Sequence, residues 1–80
     1  MPVTIYINMG YAQEFNNQSL GDFLVEEAGL YMEDIKNIVI KEENAQFDIP
    51  QKYQNQLFLN LKNYKRFHRN LKLTFVENLR

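Results

Sequence analysis

Hydrophobic and polar residues alternate strictly along several stretches of this chain. Val3, Ile5 and Ile7 alternate with Thr4, Tyr6 and Asn8, the period of a strand with one face buried. Ile38 and Ile40 alternate with Asn37, Val39 and Lys41; after the polar turn Glu42-Glu43-Asn44, Phe47 and Ile49 alternate with Gln46 and Asp48. That pattern predicts a β-hairpin with one apolar face. Leu71, Leu73 and Phe75 alternate with Lys72, Thr74 and Val76, which predicts a last strand.

The period changes between these stretches. Met9 to Gln18 holds Gly10 and Asn16-Asn17 and reads as a loop. Ser19 is the expected N-cap of a first helix, with Asp22 three residues on, and Leu20, Phe23, Leu24 and Ala28 form its apolar stripe. Gly29 is placed to stop that helix. Pro50 has no N–H for a strand ladder and a φ suited to a first helical turn, so it ends the hairpin and opens a helix over residues 51–61. Tyr53, Leu57 and Leu61 give that helix its buried stripe, flanked by Phe58, and Lys62 to Arg69 then reads as a basic connection.

The order is therefore β-α-β-β-α-β. Two right-handed βαβ crossovers place both helices on one face of a four-stranded antiparallel sheet, the ferredoxin-like α+β arrangement, and leave the other face open. Thr4, Tyr6, Asn8, Asn37, Val39, Lys41, Gln46, Asp48, Lys72 and Thr74 are expected on that open face. A chain of 80 residues without repeats or linkers makes one domain, with its core over about residues 3–76. It has no cysteine, no basic and apolar leader, and no run near 18 apolar residues. A soluble protein of the cytoplasm, with no membrane partner, is expected.

Charge divides the chain. Residues 1–49 hold nine acids against two lysines, a net of −7, and residues 50–80 hold seven bases against Glu77, a net of +6. Lys62, Lys65, Arg66, Arg69 and Lys72 fall within eleven residues with no acid among them, interleaved with Tyr64, Phe67 and His68. Cations at this density neutralise phosphates, and the rings between them can stack on unpaired bases; the alternative is a solvated loop. Tyr6 is equally open between a stacking contact and an ordinary exposed strand tyrosine. His68 is the one histidine, so neither a metal site nor a cofactor is expected, and no nucleophile, base and orienting acid fall together as a catalytic set. Glu26-Glu27, Glu33-Asp34 and Glu42-Glu43 read as solvated pairs.

Glu27-Ala28-Gly29-Leu30, Asp34-Ile35 followed by Ile38 and Ile40, and Phe47-Asp48-Ile49-Pro50, in that order and spacing, resemble the DbpA-type RNA-binding domain. That RRM-like domain is the C-terminal module of a group of bacterial DEAD-box RNA helicases. The likeness runs from Ile5 to about Val76. It implies a non-catalytic module that binds structured RNA, expected to be large-subunit ribosomal RNA, and tethers an ATP-dependent helicase core to it in ribosome biogenesis. No DNA partner is expected. The chain has no phosphate-loop motif and no Asp-Glu-Ala-Asp of its own, so it is either a piece of a longer protein or a stand-alone relative.

Three positions depart from the family's pattern. Lys36 replaces the glycine of Asp-Ile-Gly, Gln46 replaces a third-strand aromatic, and His68 falls near the glycine of Lys-Gly-Arg. Tyr6 keeps the first-strand stacking position, while Asn44, Ala45 and Gln46 stand where an RRM has its other aromatics. The RNA contacts expected are Lys62, Lys65, Arg66, Arg69 and Lys72 for phosphates, and Tyr6, Tyr64 and His68 for bases. A protein-interaction or dimerisation module that has lost RNA binding is the alternative on the same fold.

Overall fold

The computed structural model describes residues 2–66 and 68–77. Its main elements are β1 (Pro2–Ile7), α1 (Asn17–Ala28), β2 (Lys36–Ile40), β3 (Ala45–Pro50), α2 (Gln54–Leu61), the short strands β4 (Lys65–Arg66) and β5 (Arg69–Asn70), and β6 (Leu73–Glu77). The sheet has the order β2-β3-β1-β6 with every neighbouring pair antiparallel. This is the expected α+β sheet.

The buried face follows the sequence period. Val3, Ile5 and Ile7 of β1, Ala45, Phe47 and Ile49 of β3, and Ile40 of β2 are buried against Leu20, Phe23, Leu24 and Ala28 of α1 and Leu57 and Leu61 of α2. Each Val, Leu, Ile or Phe among them contributes about 1.5–3 kcal/mol when fully buried, and the alanines less. The helices are tied end to side: Gln56 and Asn60 of α2 donate to the Ala28 carbonyl at 2.9 and 3.0 Å. They satisfy a helix end that has no intrahelical partner. Gly29 stops α1 with a left-handed φ of 72°.

Four local features differ from the sequence reading. The N-cap of α1 is Asn16 rather than Ser19. The Asn16 side chain accepts from the Ser19 N–H, and the Ser19 hydroxyl accepts from the Asn16 N–H. Ser19 is thus the third helical residue of a capping box rather than the cap. The loop after β1 contains a 3-10 turn, Tyr11–Gln13, zipped to the hairpin turn through Tyr11 N–H to Lys41 C=O at 2.9 Å and Ala12 N–H to Glu42 C=O at 2.7 Å. Gly10 permits this approach, since a Cβ there would lie 2.0 Å from the Lys41 carbonyl oxygen.

The other two differences shape the open face. β2 does not alternate cleanly, because its register with β3 shifts between Lys36 and Val39, with Asn37 at a left-handed φ of 54°. This is a β-bulge, a device that re-aims a side chain. The basic connection is itself a miniature hairpin, with Lys65 paired to Asn70 and Arg66 to Arg69. His68 in its turn has a φ of 64°, a backbone for which glycine is the default residue.

Candidate functional site

Cross-strand register fixes what the open face displays. One row runs Val39, Gln46, Tyr6, Thr74 and the next Lys36, Asp48, Thr4, Val76. Tyr6 at 41% and Val39 at 44% are exposed as the period predicts, and Val76 at 44% joins them; the two valines lie on the edge strands β2 and β6, with Tyr6 on β1 between them. Thr4, expected in solvent, is buried at 7%. Its hydroxyl donates to Asp48 Oδ1 at 2.7 Å, because the two residues are direct partners across β1 and β3.

At the end of β1 sits the basic hairpin. Arg66 donates through Nε to the Gln13 carbonyl at 2.8 Å and through Nη1 to the Tyr64 hydroxyl at 3.1 Å. Its guanidinium also lies 4.6 Å from the centre of the Phe15 ring, a cation–π distance. Arg69 donates to the Asn8 carbonyl at 2.8 Å and forms an ion pair with Glu43 at 2.7 Å. Asn8 completes the attachment: its amide donates to the Asn70 carbonyl at 2.9 Å, and its Oδ1 accepts the Lys72 N–H at 2.8 Å. Carbonyls and a carboxylate drawn from residues 8 to 43 therefore hold the two arginines.

The lysines are placed differently. Lys62, Lys65 and Lys72 are exposed, as is His68 at the tip of the hairpin. Tyr64 is half-buried, its ring packed 4.7 Å from that of Phe23 in an edge-on pair. Phe67, the third ring of the segment, lies outside the described residues. The eight expected contacts thus fall into three groups: an exposed rim of Lys62, Lys65, His68 and Lys72; a half-buried set of Arg66, Arg69 and Tyr64 that shapes it; and Tyr6 apart from both on the sheet.

Asn8, Gln13 and Glu43 escaped the sequence reading as site residues, and no local pattern marks them. They matter through chain-distant contacts.

The other end of the open face has the opposite sign. The bulge turns Asn37 so that its amide donates to Asp48 Oδ2 at 2.8 Å. Beside this pair is an open cavity of about 400 Å³ lined by Pro2, Asp34, Lys36, Asn37, Asp48, Ile49 and Pro50. In the sequence Asn37 and Asp48 read as outward polar residues, Asp34 as half of a solvated acidic pair and Lys36 as a departure from the family's pattern; the bulge brings Asn37 and Asp48 together.

Among the described residues no three His, Asp or Glu side chains gather as a metal site, and no helix is long and apolar enough to cross a membrane.

The model of the DbpA RNA binding domain matches residues 4–74, nearly the whole chain. A chain in the solved structure of the Chaetomium thermophilum Mex67:Mtr2 complex superposes with a TM-score of 0.68 at 15% identity, covering 100% of this chain and 99% of that one; the likeness is one of fold. No curated protein matches. The chain belongs to the DbpA RNA binding domain family, and it is an RNA-binding module, not a catalytic one.

Proposed function

We propose that this domain binds structured RNA, with large-subunit ribosomal RNA as its target, and tethers the core of an ATP-dependent DEAD-box helicase to it in the cytoplasm. The observation that carries the reading is the fixed basic hairpin at one end of an open sheet. Lys65 and His68 project from a hairpin whose backbone is held by Arg66, Arg69 and Asn8, flanked by Lys62 at the end of α2 and Lys72 just after β5. The backbone that carries these cations is held in place by the fold, and binding of this kind weakens steeply as salt rises. Arg69 has five N–H donors and its side chain is 37% exposed, so it can add a phosphate contact to its structural ones. Tyr6 supplies a sequence-tolerant stacking surface worth roughly 1–3 kcal/mol for one base.

The test is a titration of the labelled domain with a large-subunit ribosomal RNA hairpin and a scrambled duplex, following amide shifts at two salt concentrations. Hairpin-selective shifts at residues 62–72 that fade with salt are expected. If neither RNA moves those amides at low salt, the reading is wrong.

Protein association is the second reading, and one observation favours it. Phe58 at 44% and Leu59 at 62% are exposed on α2. An apolar contact there would survive salt and would shift amides of α2 instead.

A further inference from the structure

We infer that the cavity at the Asp48 end of the sheet is a binding slot for an unpaired guanine base, a subsite of the RNA surface proposed above and resting on that reading. Four observations lead there. First, Asn37 holds a left-handed φ of 54° within the bulge; strained backbone of this kind costs about 1–3 kcal/mol and concentrates at functional sites. Its effect is to bring the Asn37 amide onto Asp48.

Second, the Asp48 carboxylate is fixed from two sides, Thr4 Oγ1 donating to Oδ1 at 2.7 Å and Asn37 Nδ2 to Oδ2 at 2.8 Å. An ionised carboxylate has about four acceptor positions. Each oxygen therefore keeps capacity for one more donor, and the ligand suited to it presents two parallel N–H groups.

Third, Lys36 is the cross-strand partner of Asp48 and lines the same cavity, which places a donor beside the paired acceptors. Guanine has this complement on one edge: N1–H and N2–H for the carboxylate, and O6 for the ammonium. Adenine and uracil lack the adjacent pair of donors. Cytosine has one amino group but no ring N–H next to it.

Fourth, Pro2 and Pro50, direct partners across β1 and β3, line the cavity side by side and offer one apolar surface for a base plane, and about 400 Å³ is ample for one base. Asp34 and Asp48 together outweigh Lys36 in charge, so the cavity repels phosphate and admits a neutral base. The lysine rim lies at the opposite end of β1 from Pro2. A strand whose phosphates sit on that rim and whose chain crosses Tyr6 delivers a base to this slot.

The experiment uses the 80-residue domain and three mononucleotides that share a phosphate and ribose, so that phosphate affinity cancels. Guanosine monophosphate is expected to shift amides of residues 34–37, 48 and 49. Its affinity should exceed that of inosine monophosphate, which lacks only the N2 amine, and of adenosine monophosphate by about tenfold, as a bidentate base contact gives. Equal shifts from all three nucleotides, or no movement of these amides, would overturn the assignment. So would preferential binding of acetyl-arginine amide, whose guanidinium presents a similar donor pair.

Lys36→Met, at an exposed site, should leave the melting temperature unchanged and reduce the preference for guanosine over adenosine monophosphate, while the preference over inosine monophosphate, which keeps O6, stays; an unchanged preference over adenosine monophosphate removes Lys36 from the slot. Should the ribosomal hairpin move residues 62–72 while guanosine monophosphate leaves 34–37 still, the base slot fails and RNA binding stands. The converse result removes the ribosomal hairpin and keeps the slot.

Discussion

Where β1 ends, at Asn8, arginines are held by backbone carbonyls and by Glu43, and the lysines beside them are left to solvent. Where β1 begins, at Pro2, a carboxylate is held by a hydroxyl and an amide, and the charged groups beside it line a cavity. Each end fixes ionised groups, two arginines at one and a carboxylate at the other, with neutral or opposite partners. The difference lies in shape. The basic end is a convex hairpin that suits a backbone of phosphates, while the acidic end is a concave notch that suits the edge of one base.

Removing a clamp should separate structure from recognition most sharply. Arg66→Ala loses the bond to the Gln13 carbonyl, the bond to Tyr64 and the Phe15 contact, and should cost about 2–3 kcal/mol in denaturant unfolding. Arg66→Lys should recover little of that, because a single ammonium cannot reproduce the planar fork. Full recovery would make Arg66 a mere carrier of charge.

Replacing Lys62, Lys65 and Lys72 together by alanine should do the reverse. Stability should stay within about 0.5 kcal/mol, while the slope of log affinity for the RNA hairpin against log salt falls by about 2–3 in magnitude. An unchanged slope would mean that these lysines touch no phosphate.

Asn8→Ala should produce an intermediate result, a loss of about 1 kcal/mol from two exposed hydrogen bonds together with faster amide exchange over residues 69–72. Protection that stays at the wild-type level would show the hairpin to be held without Asn8.

The smallest effect belongs to Glu43→Gln. Its ion pair with Arg69 is exposed, so stability should change by about 0.5 kcal/mol or less, while RNA affinity at low salt rises slightly as a negative charge leaves the rim. Weaker RNA binding would show instead that the pair sets the angle of the hairpin.

The two regions were unequally legible. For the basic end the sequence showed the charge but not its division of labour, since Arg66 and Lys65 are neighbours in a run and look alike until Gln13, 53 residues away, receives one of them. For the acidic end even the grouping was hidden. Strict alternation placed Asn37 and Asp48 on one face, but the left-handed turn at Asn37 that brings their side chains to 2.8 Å leaves no mark in a period-2 pattern.

What the sequence alone determined was the set of elements and their order. The periods at Val3-Ile5-Ile7 and Leu20-Phe23-Leu24-Ala28, and the stops at Gly29 and Pro50, are local facts of backbone and burial, and with short right-handed crossovers they leave essentially one sheet. Tertiary structure alone decided which charges are spent inside the molecule and which face outward. A guanidinium or carboxylate is committed only when a partner is brought within about 3 Å, and here those partners come from residues 8, 13, 43 and 4, brought near by the fold and not by the chain.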